Sequence, residues 1–207
     1  MGVLSSSVSI TQYRVEGEMD SGFMETVAAA LKANAIREID NEPEEKSAGW
    51  TSFESPFKPD FTGSSFMFGT HLVFSLRIDK KSIPSKVVAK QLNMAVAKRL
   101  ADSERETLHR NEKTEIKDEV IRRLLLKIPA TPNMYDLIWN YEAKMLWFFT
   151  GLKAANEELE TLFNKTFKLS LIRMFPYTGA LLACDLTDIE KDRLEKLSPT
   201  MFFRGAA

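Results

Sequence analysis

The chain is poor in the residues on which most enzymatic chemistry is built. Its 207 residues include a single cysteine, Cys184, so no internal disulfide forms and a reducing compartment is expected. Only two histidines are present, His71 and His109, and no cysteine stands at metal-ligand spacing from either. Histidine-based catalysis and a zinc site are therefore not expected. A glycine-rich phosphate loop, a dinucleotide fingerprint and a nucleophile elbow are all missing. The longest apolar runs, such as Met145 to Phe149, fall far short of a membrane span, and the N-terminus lacks the basic and apolar regions of a signal peptide. These absences predict a cytoplasmic protein with no membrane contact, no metal and no cofactor.

What is present suffices for a folded body. Hydrophobic residues make up 44% of the chain, and the 28% that are charged mix both signs, which argues against global disorder. Ser7 to Val15 is β-branched and reads as a strand, and Asp20-Ser21 offers a cap for a helix built on Phe23, Met24, Val27 and Leu31 that ends near Asn34. Ile36 to Ile39 reads as a short strand. From Asn41 to Gly63 periodicity fails, and Trp50, Phe53, Phe57 and Phe61 stand in a long loop. These rings either pin the loop to a sheet or, with Lys58, stack on bases; the excess of acidic residues favours the first. Ser64 to Phe68 and His71 to Ile78 form a hairpin about Gly69-Thr70.

The next stretch concentrates the charge. Between Pro84 and Pro129 lie forty-four residues without Pro or Gly, which read as helix with a break between Asp102 and Arg110 and a cap at Asn111. They carry eleven cations: Lys86, Lys90, Lys98, Arg99, Arg105, Arg110, Lys113, Lys117, Arg122, Arg123 and Lys127. The segment has a net charge of +4 and the whole chain −1, so the remainder stands at −5. Val88, Leu92, Ala95 or Val96, and Leu100 make one narrow apolar stripe, and Ile116, Val120, Leu124 and Ile128 a second. Helical spacing places Lys86 and Lys90, with Lys98 a candidate third, on one flank, and Arg110, Lys113 and Lys117 on another. Long cationic side chains in such number suit nucleic-acid phosphates.

Beyond Pro129, Tyr135 to Asn140 and Lys144 to Thr150 read as a hairpin, Lys153 to Asn164 as an amphipathic helix, and Leu169 to Met174 as a strand. Phe175 to Gly179 reads as a turn, Ala180 to Cys184 as a short buried run, and Thr187 to Leu197 as a charged helix. Met201-Phe202-Phe203 either packs back on the body, the favoured reading, or docks on a partner. The fold class predicted is α+β: two strand-helix-hairpin units with mainly antiparallel sheets bracket the basic segment. The corresponding division is 1–82, an N-terminal α+β unit; 83–130, a basic helical arm; and 131–207, a second α+β unit with a C-terminal helix.

Ile83-Pro84-Ser85, Val87 to Leu92 and Asn111 to Val120 resemble the RdgC family of bacterial recombination-associated proteins, as do Gly49-Trp50 and the strand ending at Arg77. The similarity covers about residues 1 to 175. It implies a nucleoid-associated DNA-binding protein without strong sequence preference, a ring-shaped homodimer around duplex DNA, and restraint of RecA-promoted strand exchange. Where the family tends to carry an Arg and an aromatic residue after the second helix, this chain has Lys127-Ile128-Pro129, and it looks like a short version lacking the usual C-terminal part.

The expected function is sequence-tolerant binding of DNA, duplex and single-stranded, with the eleven cations as the pool of phosphate contacts. Two alternatives come from other classes. One is a protein-interaction module using the charged arm; the other is a metal-dependent nuclease using carboxylates such as Asp118-Glu119 and Glu157-Glu158. The exonuclease label that the resembled family has carried finds no support in the residues, so the expectation is a protein that is not an enzyme, with no catalytic or metal-binding residue.

Overall fold

A computed structural model of the protein describes residues 2–18, 23–63, 65–103 and 105–198. Seven strands and six helices follow in the order β1 (Thr11–Glu16), α1 (Phe23–Ala33), β2 (Lys46–Thr51), β3 (Met67–Phe68), β4 (His71–Lys80), α2 (Ser85–Ser103), α3 (Arg110–Leu125), β5 (Thr131–Asn140), β6 (Met145–Phe148), α4 (Lys153–Phe167), β7 (Ser170–Arg173), α5 (Pro176–Ala183) and α6 (Asp188–Glu195). The α+β class and the antiparallel pairing match the sequence reading. The expected arrangement of two bracketing units does not appear: strands from both sides of the helical segment share one sheet, ordered β2-β4-β5-β6-β1-β7 with β3 on β4.

The longest ladder decides the rest. β4 and β5 pair antiparallel over ten positions, from His71 opposite Asn140 to Lys80 opposite Thr131. Every residue from 81 to 130 therefore leaves and re-enters the sheet at two neighbouring points, about 5 Å apart. Such a segment can only fold back on itself, which makes α2 and α3 an antiparallel pair.

The core lies between the sheet and two helices. Along β4 the alternating Leu72, Phe74, Leu76 and Ile78 are buried, and α4 covers them with Leu159, Leu162, Phe163 and Phe167. Trp139 lies 5.1 Å from Phe163 and 5.3 Å from Phe167 between ring centroids, and Trp50 packs edge-on against Phe74 at 5.2 Å. The Trp50 indole N–H donates to Thr166 Oγ1 at 2.8 Å. Tyr13, fully buried, donates its hydroxyl toward Asn156 Oδ1 and Glu160 Oε1; burial, reinforced by Glu160, pushes its phenol pKa up and keeps the donor protonated.

Two elements were illegible in the sequence. β2 forms where the sequence reads as loop, because Lys-Ser-Ala-Gly-Trp-Thr shows no alternation. Its outer edge is closed by the chain leaving α1: Ile36 N–H donates to Trp50 O and Trp50 N–H to Asn34 O. This leaves Ile36 no strand of its own beyond a single bridge from Ala35 to Trp50. At the other end, Pro176 opens helix α5 where a turn was expected, and the Phe175 N–H is satisfied by Thr178 Oγ1 at 2.8 Å. The Asp20-Ser21 cap and the Met201 to Phe203 triplet lie outside the described residues.

The break in the basic segment falls as expected, but α3 begins after His109, two residues ahead of the proposed cap. Glu112 supplies the reason, since its Oε2 accepts the His109 N–H at 2.9 Å. That hydrogen bond, with help from Arg105, holds the Glu112 carboxyl below the usual range. Leu108, 7% exposed, closes the tip between the helices. No residue of α2 is buried, and of α3 only Val120 and Leu125 are.

Two outcomes test these assignments. A Cβ at Gly49 would stand 2.4 Å from Ile36 Cα and 2.5 Å from Ile36 N, backbone that cannot yield. Gly49→Ala should therefore cost about 1–3 kcal/mol in chemical denaturation. A depressed carboxyl pKa stabilises above the unfolded value, about 4.3 for Glu, and this is lost as pH falls through the folded value. Acidification should thus fray the start of α3, seen in the His109 amide resonance, and Glu112→Ala should abolish that step.

Candidate nucleic-acid interface

The helical pair stands away from the sheet: the element each of its helices packs closely against is the other. All eleven cations proposed from the sequence are exposed, namely Lys86, Lys90, Lys98, Arg99, Arg105, Arg110, Lys113, Lys117, Arg122, Arg123 and Lys127. Two of them hold carboxylates. Arg105 Nη2 lies 3.3 Å from Glu112 Oε1, and Arg123 Nη2 lies 3.0 Å from Glu119 Oε1 one helical turn away. The other nine have no carboxylate within ion-pair distance among the described residues.

The pool divides by position. Lys98, Arg99 and Arg123 line a groove of about 400 Å³ between α2 and α3, facing Asp102, Glu112, Glu115 and Glu119. This lining mixes signs. On α3, Arg110, Lys113 and Lys117 lie outside it, within an arc of roughly 60° at 100° per residue. Lys86 and Lys90 occupy successive turns of α2, whereas Lys98, roughly 80° around the helix from Lys90, belongs to the groove. Arg122 and Lys127 continue the exposed charge toward the sheet.

Exposure matters energetically. Arg105 and Arg123 keep 48% and 56% of their side-chain surface, and ion pairs so exposed contribute about 0–1 kcal/mol. A polyanion can displace either carboxylate at little cost. The buried cations behave differently. Arg77 grips Asp79 through two hydrogen bonds of 2.8 and 2.7 Å, donates to Pro56 O, and lies 5.2 Å from the centroid of the Phe57 ring. Lys81 is committed to backbone carbonyls at the root of the helical pair. Neither is a phosphate ligand, and nothing in the local sequence separates Lys81 from its exposed neighbour Lys80.

The remaining candidates are placed as follows. Trp50 and Phe61 are buried and hold the loop to the body, while Phe57 stays exposed above Arg77. His71 accepts from Asn140 at 3.2 Å and stacks on Trp147. Glu119 pairs with Arg123, and Glu158 with Lys46. Among the described residues no three His, Cys, Asp or Glu come together as a metal-binding group, and no helix is long and apolar enough to cross a membrane.

Comparison with known proteins adds the family. No curated protein matches the chain. The family model described as "Putative exonuclease, RdgC" matches residues 9–180. That description overturns the expectation of a protein that is not an enzyme, because the family itself is described as one of nucleases. It supports a general DNA-associated, recombination-related function. With the match running through the sheet, the helical pair and α4, the chain belongs to the RdgC family.

Proposed function

We propose that the protein grips the DNA backbone through the exposed cations of its helical arm, 83–130, without reading base sequence. The observation that carries this reading is nine exposed cations of one protruding element, free of carboxylate partners among the described residues, on a body of opposite net charge. Arg110, Lys113 and Lys117 form its most compact cationic flank. Contacts of this kind position a duplex and carry no sequence information. Residues 85–125 contain no Phe, Tyr or Trp, so single strands are held by charge and not by stacking. The resemblance to the family extends the proposal to a nucleoid-associated homodimer that restrains RecA-promoted strand exchange.

The family's description favours a second reading, hydrolysis of the DNA so held. Incubating end-labelled duplex with the protein and Mg²⁺ or Mn²⁺ separates the two: progressive shortening supports hydrolysis, and intact label at full binding supports grip alone.

Salt dependence tests the grip. Each phosphate neutralised contributes about −0.9 to the slope of log affinity against log salt. The combined Arg110→Gln, Lys113→Gln, Lys117→Gln variant should lose roughly tenfold or more in duplex affinity and about 2.7 in slope, measured by fluorescence anisotropy. Unchanged affinity and slope would remove α3 from the interface.

A further inference from the structure

The helical arm is joined to the sheet through one buried side chain that its proposed phosphate contacts do not use. Lys81 follows directly on β4 and is 7% exposed. Its ammonium has three N–H donors. Each finds a backbone carbonyl: Asp40 O at 3.0 Å, Glu42 O at 2.8 Å and Leu125 O at 2.8 Å. The first two belong to the loop ahead of β2; the third is the last residue of α3. Leu125 O is one of the carbonyls a helix leaves unpaired at its C-terminus, where the helix dipole is negative. A buried cation is the donor best suited to it.

Neighbouring contacts complete the joint. The Lys81 N–H donates to Glu45 O at 2.9 Å, and the carboxylate of Asp40 accepts the Ala130 N–H at 2.8 Å, just ahead of β5. Both ends of the arm are thus tied to the same loop, 40–45. Beyond this root, α2 and α3 pack closely only on each other. Besides the joint, the arm is held by two short backbone links, 81–84 and 126–130, and by the buried Leu125 at the foot of α3.

We infer that Lys81 is a positioning residue: its three-way contact fixes the direction in which the helical arm leaves the sheet, and with it the place of the arm's cations. Its consequence for DNA rests on the phosphate-binding reading above; the joint itself does not. An arm that spends one-fifth of its time in the competent direction weakens apparent affinity about fivefold. No phosphate-contacting cation is removed, so the salt slope stays as it was.

The test is a distance measurement on the full chain. In a Cys184→Ser background, spin labels at Asn111→Cys near the arm tip and Glu157→Cys on α4 report arm direction by pulsed EPR. The distribution should be narrow with Lys81 and broad in Lys81→Met, which also loses about fivefold in duplex affinity at unchanged salt slope. Equal widths in the two proteins would overturn the joint. Broadening with unchanged duplex affinity would overturn the phosphate reading and leave the joint standing. Should Lys81→Met not fold, hydrogen exchange on the unaltered chain decides the matter. The Leu126, Lys127 and Ala130 amides should exchange as slowly as those of β4, and exchange as fast as that of the tip at 106–113 would overturn the joint.

Discussion

The ten-residue ladder between β4 and β5 is the constraint on which the rest of the molecule depends. By pairing Lys80 with Thr131 it brings the two ends of a fifty-residue excursion to adjacent strands. Helices formed inside that excursion must fold back on one another as an antiparallel pair. The same ladder places Leu72, Phe74, Leu76 and Ile78 of β4 beside Leu137 and Trp139 of β5, under α4. Core and arm are thus two consequences of one strand pairing. What protrudes is strongly basic; what remains is acidic.

Electrostatics within the arm follow the same logic. The groove between α2 and α3 gathers Lys98, Arg99 and Arg123 with Asp102, Glu112, Glu115 and Glu119 in one mixed-sign lining, between two helices that bury few apolar side chains. The cations left over lie on outward flanks, where water screens them and no fold-stabilising role is visible. Long solvated ammonium and guanidinium groups on a projecting rod cost little to maintain and little to transfer to a phosphate backbone. This physical economy agrees with the DNA-associated character of the RdgC family, to which the chain belongs.

Much of this was legible in the sequence, for identifiable reasons. The arm was readable because Pro84 and Pro129 bound it and because its interior lacks both helix breakers. The hairpins were readable where alternation or a turn residue marked them, as at Gly69, whose φ of +61° suits glycine. β2 was hidden because its interior position comes from tertiary pairing, with β4 on one side and residues 34–36 on the other, and only Gly49 hints at the close approach. The single sheet was hidden too: nothing local to Thr11–Glu16 indicates that it lies between β6 and β7. Of the candidate interface, the residue types were visible, but the separation of Lys98 and Arg99 into a mixed-sign groove needed the packing of α2 on α3. The anchoring of Lys81 left no trace in the sequence, since a buried lysine and an exposed one are spelled alike.

Lysine footprinting on duplex DNA tests the central claim most directly. The full chain is treated with an amine-acylating reagent, with and without duplex, and each modified lysine is quantified by mass spectrometry. The expected result is that Lys86, Lys90, Lys113, Lys117 and Lys127 of the arm lose reactivity on binding while the exposed Lys32, Lys153 and Lys168 of the body keep theirs. Protection confined to the body lysines, with the arm as reactive as in the free protein, would contradict the assignment of the arm as the surface that holds DNA.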